Sequence, residues 1–253
     1  MKSFNLKNGE YYAENVPLAK IADDYATPTY VYSKQALTNA FERFSRGFLG
    51  TNHLVCFAVK SNPSLAILNT FAKLGAGFDI VSGGELARVI AAGGDPAKVV
   101  FSGVGKTEAE MRFALEAGIF CFNVESASEL DRLNAVAASM NKVAPISLRV
   151  NPNVDAKTHP YISTGLKNNK FGVAYEDALS LYQKAAAMSN IEIHGVDCHI
   201  GSQLTELNPF LDALDRVLAL VDALESAGIH IQHIDAGGGI GICYSDETPP
   251  DFA

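Results

Sequence analysis

Short apolar runs alternate along this chain with longer segments in which apolar residues recur every three or four positions. The first pattern predicts buried β-strands and the second predicts amphipathic helices. The predicted strands are 54–59, 77–81, 98–102, 119–125, 145–151, 191–200 and 230–235, and the predicted helices between them are 64–74, 85–92, 108–117, 128–140, 176–188 and 209–227. This order predicts repeated βα units around a parallel sheet.

The predicted fold class is α/β, a (β/α)8 barrel of the TIM type with seven strands present and the eighth missing. A doubly wound sheet is the alternative, but no Gly-x-Gly-x-x-Gly turn follows the first strand. Recognisable helix ends support the assignment, since Thr107 precedes Glu108 and Glu110, and Gly118 and Gly228 follow the last helical turns. A barrel that lacks one strand has two open edges.

Residues 1–33 are predicted to precede the barrel, which would occupy 34–253. The patterns predict a helix over 17–25, a β-rich run over 27–33 and a second helix over 34–48. A strand at 30–32 needs a partner that the nearby sequence does not offer, so we expect it to belong to a missing β domain. The sequence stops in a predicted loop after the seventh strand. We therefore expect a carboxyl-terminal truncation and no activity from this chain alone.

Composition and charge narrow the classes of partner. The chain has 253 residues, is 48% hydrophobic and carries a formal net charge of -8, which disfavours a nucleic-acid partner. Neither a signal-like amino terminus nor an uncharged apolar run of membrane-spanning length is present, so we expect a cytoplasmic protein without a membrane partner. Its four cysteines lack Cys-x-x-Cys spacing, which predicts neither disulfides nor a zinc site.

The most informative residue is Lys60, which ends the first predicted strand. Side chains of a strand alternate between its faces, so Leu54, Cys56, Ala58 and Lys60 would point together into the barrel or a cleft. A lysine at the carboxyl end of a barrel strand lies where such folds place their chemistry, and it can act as a nucleophilic amine. The alternative is a lysine that ends a strand in solvent.

Further polar residues follow the other strands and would meet Lys60 at one rim. Asp79 lies in the second strand, and Arg149 in the fifth would need a buried carboxylate such as Asp79 or Glu125 unless it reaches solvent. His199 follows Asp197 at period two, which predicts an inward-facing ring that could stack on a flat cofactor. The alternative for His199 is a core histidine bonded to a backbone carbonyl.

Three glycines, Gly237, Gly238 and Gly239, follow the seventh strand. Their backbone could approach an anionic group and cradle its charge with N–H groups, but a tight βα turn that only relieves crowding is an equally good interpretation. Phosphate sites near the last strands of barrels favour the anion.

Two other patterns resemble the beginnings of binding sites. Residues 103–107 read Gly-Val-Gly-Lys-Thr, like the end of a phosphate-binding P-loop, but Val100 stands where that pattern requires its first glycine. Nucleotide hydrolysis is therefore disfavoured. The pairs His194 with His199 and His230 with His233 lack a carboxylate or cysteine that would complete a metal site, so no metal is expected.

Several motifs together resemble the pyridoxal-phosphate decarboxylases with an alanine-racemase-like barrel, and most closely the diaminopimelate decarboxylases. The similar stretches are 56–62, 77–85, 149–152, 158–165, 197–203 and 237–239. The lysine, aspartate, histidine and glycine motifs are shared with ornithine and arginine decarboxylases, whereas 158–165 and 197–203 favour the diaminopimelate branch.

The resemblance implies a role for each site residue. Lys60 would form the Schiff base with pyridoxal 5'-phosphate, His199 would stack on the cofactor ring, and Gly237, Gly238 and Gly239 with Ser202 would contact the phosphate. Asp79 and Arg149 would belong to the polar network beside Lys60.

The implied activity is decarboxylation of meso-2,6-diaminopimelate to L-lysine in lysine biosynthesis, by a homodimer acting on a small amino acid. The family's Glu-Pro-Gly-Arg motif and its carboxyl-terminal β domain, with a Cys and a Tyr for the site, do not occur here. Two alternatives stay open. One is a noncatalytic pyridoxal-phosphate protein that pairs with a complete relative, and the other is a decarboxylase of the ornithine or arginine type.

Overall fold

The computed structural model describes residues 3–154 and 171–250. A small antiparallel sheet comes first, with strands β1 (Phe4–Lys7), β2 (Glu10–Ala13) and β3 (Val16–Pro17), and it is followed by helices α1 (Leu18–Tyr25) and α2 (Lys34–Arg46). The sequence pattern predicts both helices, whereas the hairpin of β1 and β2 was not predicted. The sequence signal for this hairpin is the pair Asn8-Gly9. Two-residue hairpin turns require positive φ at both positions, and both residues have positive φ in the structure.

The barrel strands confirm the seven predicted positions, and most are shorter than predicted. They are β4 (Cys56–Ala58), β5 (Gly77–Ile80), β6 (Val99–Phe101), β7 (Cys121–Val124), β8 (Ala144–Asn151), β10 (Ile191–Asp197) and β11 (His233–Asp235), with a short β9 (Val173–Ala174) beside β8. All pair in parallel in the order β11-β10-β8-β7-β6-β5-β4. The result is an α/β partial barrel in which β4 and β11 form the edges within the described residues.

The helices on the outside of the barrel also lie where the periodicity predicts them. They are α3 (Leu65–Lys73), α4 (Gly83–Ala91), α5 (Glu108–Ala117), α6 (Ala127–Ser139), α7 (Tyr175–Ala186) and α8 (Asn208–Ser226). The core between strands and helices is apolar and includes Phe78, Phe101 and Phe122, none of them exposed. Because strand residues alternate, the neighbours Asp79 and Asn123 point to the barrel interior. The strands thus present an apolar face to the helices and a polar face to the interior.

Three βα corners use the same sequence rule, a Ser or Thr followed three residues later by Glu. Ser82 Oγ accepts the Glu85 N–H at 3.2 Å, and Ser126 Oγ accepts the Glu129 N–H at 3.2 Å. Thr107 with Glu110 forms a complete capping box, as the helix-end pattern predicted.

At two of these corners the glutamate also forms a hydrogen bond with a residue of the preceding βα loop or of the first turn after it. Glu110 Oε1 accepts the N–H of Gly83 at 2.9 Å, and Glu129 Oε1 accepts a hydrogen bond from Lys106 at 2.7 Å. Each helix start is thereby fastened to the preceding loop.

Residues 26–33 correct one prediction, since the structure assigns no strand there. Tyr30 is 91% exposed, because no strand of the described chain pairs with this segment. Its membership of a separate β domain stays a prediction. None of the helices in the described part of the chain is both long and apolar enough to cross a membrane.

Candidate active site

Lys60 lies at the carboxyl end of β4, but not in the strand. Residues Val59–Ser61 form a 3-10 turn. The alternation of side chains between the two faces of the strand therefore ends at Ala58 and does not set the direction of Lys60. The side chain of Val59 is fully buried, whereas Lys60 is exposed and has no hydrogen bond or ion pair among the described residues. Its positive charge nevertheless lowers the pKa of both Asp79 and His199, which places the three groups in one electrostatic field.

Asp79 on β5 faces the barrel interior. Its Oδ1 accepts a hydrogen bond of 2.7 Å from the hydroxyl of Ser102. Burial and the charge of Asp235 raise the pKa of Asp79 to about 6, against the effect of the Ser102 bond, which lowers it. A carboxyl group near Lys60 is therefore poised to gain or lose a proton close to neutral pH.

Asn123 and Asp235 join opposite sides of the barrel, and sequence analysis assigned a role to neither. The amide of Asn123 donates to Ser102 Oγ at 3.3 Å and to Asp235 Oδ2 at 3.2 Å, which links β7 to β11 across the interior. The other Asp235 oxygen accepts the Gly237 N–H at 2.9 Å. One hydrogen-bonded path thus runs from Asp79 to the glycine loop.

Arg149 on β8 points inward, and its side chain is only 13% exposed. Of its two predicted partners, Glu125 is the one that it binds, with 3.3 Å between Arg149 Nη1 and Glu125 Oε1. Asp197 was missed as a second carboxylate, at 4.0 Å from Arg149 Nε. Burial raises the pKa of Asp197 well above its usual range, and Asp235 adds to this shift. The predicted solvent-facing alternative for Arg149 is wrong.

His199 follows β10 by two residues at the same rim. Its Nδ1 accepts a hydrogen bond of 3.4 Å from the Gly238 N–H, which joins the ring to the glycine loop. Burial, together with the charges of Arg149 and Lys60, lowers the pKa of His199 to about 4. The ring is therefore neutral near pH 7, while stacking on a cofactor stays a prediction.

The glycine loop is packed too closely for any other residue at two of its three positions. A Cβ at Gly239 would overlap the carbonyl oxygen of Gly201, and one at Gly237 would overlap that of Cys198. Both glycines also have positive φ. A Cβ at Gly238, in contrast, would meet open space. Crowding therefore explains two glycines, and the third leaves backbone accessible to a ligand.

The loop that carries Ser202 is fastened to the glycine loop. The Leu204 N–H donates to the Gly239 carbonyl at 2.9 Å, and the Gly241 N–H donates to the Leu204 carbonyl at 2.8 Å. Ser202 itself is exposed. Its predicted contact with an anion, like that of the glycines, stays a prediction, since the N–H groups of Gly237 and Gly238 already have internal acceptors.

The arrangement suits a flat aldehyde cofactor that carries an anionic group. Lys60 offers an amine without a partner among the described residues, His199 offers a neutral ring, and Gly238 offers accessible backbone at the same rim. The motif predicted at 158–165 lies outside the described residues.

Comparisons with known proteins agree with this chemistry. Residues 34–253 match the family model described as "Pyridoxal-dependent decarboxylase, pyridoxal binding domain". A diaminopimelate decarboxylase from Pseudomonas aeruginosa is 60% identical over 250 residues, which cover 99% of this chain and 60% of that protein. The chain thus spans about 60% of the length of the curated relatives it matches.

Solved structures give the same result in three dimensions. The diaminopimelate decarboxylase from Helicobacter pylori complexed with L-lysine superposes with a TM-score of 0.90 at 42% identity, covering 93% of this chain and 60% of that one. The diaminopimelate decarboxylase from M. jannaschi gives a TM-score of 0.92 at 38% identity, covering 99% and 60%.

Proposed function

Because the chain belongs to the pyridoxal-dependent decarboxylase family, we propose that it forms the cofactor-binding barrel of an enzyme that decarboxylates meso-2,6-diaminopimelate to L-lysine. The observation that carries this proposal is an exposed lysine, Lys60, which has no partner among the described residues and whose charge acts on both Asp79 and His199. The choice of substrate is supported by the names of the relatives that are about 60% identical. The ornithine- or arginine-type alternative has weaker support, since it rests on shared motifs alone.

Pyridoxal 5'-phosphate supplies an electron sink for the pair of electrons that remains when carbon dioxide leaves an amino acid. The residues of this chain hold it in place. The Lys60 amine would condense with the aldehyde and release water, the neutral ring of His199 would lie against the flat face of the cofactor, and Gly238 with Ser202 would contact the phosphate.

Buried carboxylates in the barrel interior hold the Arg149 side chain in place. Arg149 is held by Glu125 at 3.3 Å, and it lowers the pKa of His199, which favours the neutral ring. Asp79 pairs with Ala58 on the strand that leads to Lys60, and its pKa of about 6 lets it accept or release a proton near neutral pH.

The direct test uses the full-length protein. Borohydride reduction after incubation with pyridoxal phosphate, followed by peptide mapping, should place the label on Lys60. Decarboxylation should be measured with meso-diaminopimelate, ornithine, arginine and lysine, and we expect turnover of the first. Label on another lysine would overturn the residue assignment, and turnover of ornithine or arginine alone would overturn the substrate. Label on Lys60 without any turnover would favour the noncatalytic alternative.

Cytoplasmic location and a homodimer are part of the same proposal. Four free cysteines support a reducing compartment, because oxidising compartments favour disulfides. The homodimer rests on the family resemblance, and analytical ultracentrifugation of the full-length protein tests it. A monomer at micromolar concentration would contradict it.

A further inference from the structure

Lys106 belongs to the Gly-Val-Gly-Lys-Thr stretch, which resembles an incomplete P-loop. It lies between β6 and α5, and its side chain has no exposed surface. All three ammonium protons have acceptors, which are Glu129 Oε1 at 2.7 Å, the Asn123 carbonyl at 2.7 Å and the Gly103 carbonyl at 2.8 Å. Lys106 therefore ties together the ends of β6 and β7 and the first turn of α6.

One path leads from this lysine to Arg149. Glu129, held by Lys106, uses its second oxygen to accept the Glu125 N–H at 3.2 Å. The Gly103 peptide, whose carbonyl binds Lys106, presents its N–H to Glu125 Oε1 at 2.8 Å. That same oxygen binds Arg149. Backbone and carboxylate of Glu125 are thus both fixed by groups that Lys106 holds.

A second path leads from Lys106 to Asp79 and the glycine loop. The ammonium fixes the carbonyl of Asn123, whose side chain binds Ser102 and Asp235. Ser102 in turn binds Asp79. The two paths meet at Lys106 and reach the residues that surround Lys60 and His199.

Stability alone does not explain this pair. Apolar residues of similar size often replace a buried ion pair without loss of stability, since the desolvation of both charges offsets much of their attraction. The particular value of Lys106 lies in the geometry that its three directed hydrogen bonds impose.

We propose that Lys106 is a positioning residue, which sets the places of Arg149 and Asp79 beside the cofactor site through Glu125 and Asn123. Its effect on turnover rests on the proposed function, but its effect on the geometry of the rim does not.

The test compares the full-length protein with Lys106→Met, with the double variant Lys106→Met/Glu129→Leu, and with Lys142→Met as the matched control. Lys142 also donates to a backbone carbonyl, that of Leu115, but it follows α6 and precedes β8, at the amino-terminal end of the barrel strands. Two readouts are taken. NMR of the His199 ring in the cofactor-free protein gives its pKa, and steady-state kinetics give kcat and KM separately.

We expect the double variant to unfold at about the temperature of the wild type. Its His199 pKa should rise above the wild-type value of about 4, because Arg149 is no longer held beside the ring. Its kcat should fall about 100-fold, the typical cost of a misplacement of about 1 Å, with a smaller change in KM. Lys142→Met should change neither.

The double variant decides the outcome if Lys106→Met fails to fold. A folded double variant with the His199 pKa and kcat of the wild type would overturn the proposal. If instead the wild type binds no pyridoxal phosphate, the proposed function fails, and the His199 titration still judges the role of Lys106.

Discussion

Two lysines follow two strands of this barrel, and their surroundings are opposite. Lys60 after β4 is exposed and without a partner among the described residues, whereas Lys106 after β6 is fully buried and gives each of its protons to an acceptor. An amine must be accessible to react with a carbonyl group, and a buried ammonium with three acceptors is not. The comparison separates a lysine whose amine is accessible for the proposed chemistry from a lysine that holds the surrounding loops.

The largest expected effect comes from removal of the accessible amine. Lys60→Ala in the full-length protein should abolish borohydride-fixed label and lower kcat by roughly 10³-fold or more, out of the 10⁶-fold or larger acceleration that enzymes provide. Lys73→Met at the exposed end of α3 is the control and should keep both. If Lys60→Ala kept the label, another lysine would be the reactive one, and the difference in accessibility between Lys60 and Lys106 would not identify it.

The buried lysine should show its effect in stability. Lys106→Met leaves Glu129 buried without its counter-ion, which should cost about 3–5 kcal/mol in the free energy of unfolding. Lys60→Met should cost almost nothing, because Lys60 has no partner among the described residues to lose. Urea denaturation of the cofactor-free proteins measures both, and equal losses would show that the two sites do not differ in this way.

The contribution of Asp79 to stability should depend on pH. The charge of Lys60 acts on the pKa of this carboxyl group, although no hydrogen bond or ion pair between the two is present among the described residues. Its pKa of about 6 lies above the usual 3.8, so the folded protein holds this proton more tightly than the unfolded chain does. The stabilisation is complete below about pH 4 and is lost as the pH rises through 6. Asp79→Asn keeps an acceptor for Ser102 and cannot ionise.

The unfolding free energy of Asp79→Asn relative to the wild type should therefore rise between pH 4 and pH 7, by at most about 3 kcal/mol. Urea denaturation across this range provides the measurement. A difference that stays constant with pH would contradict the raised pKa of Asp79.

The smallest effect is expected at a lysine whose ion pair is as short as that of Lys106 but exposed. Lys184 Nζ lies 2.6 Å from Asp131 Oδ1, with side-chain exposures of 44% and 53%. Water screens such a pair, so Lys184→Met should change the free energy of unfolding by less than about 1 kcal/mol. Thermal denaturation of this variant beside Lys106→Met tests whether burial, rather than distance, decides the energy.

The sequence predicted the parts of this molecule that depend on local pattern. Hydrophobic periodicity located the seven barrel strands and the helices between them, and Thr107 with Glu110 located a helix start. The hairpin turn at Asn8 and Gly9 was equally local and was overlooked. The strand expected at 30–32 did not form in the described chain, since β propensity alone does not supply a partner.

Pairings between distant residues were beyond such patterns. Lys106 and Glu129 stand 23 positions apart, and Asn123 and Asp235 stand 112 apart. Neither pairing has a spacing rule. The position of Lys60 could be predicted, but its exposure could not, because a 3-10 turn interrupts the strand at Val59. The roles of Gly237, Gly238, Gly239 and Ser202 stay predictions, although crowding accounts for two of the glycines.

Three glutamates near the carboxyl ends of the barrel strands accept hydrogen bonds from residues earlier in the chain, so local unfolding should spread from one loop to the loop before it. Glu110 binds back to Gly83, Glu125 binds back to Gly103, and Glu129 binds back to Lys106. Loosening the start of α6 should therefore speed amide hydrogen exchange in the β6–α5 loop before it more than in the β8 segment after it. Because each of these hydrogen bonds joins a glutamate to an earlier loop or helix start, local unfolding at one loop is expected to loosen the loops that precede it in the chain, in the direction of Lys60.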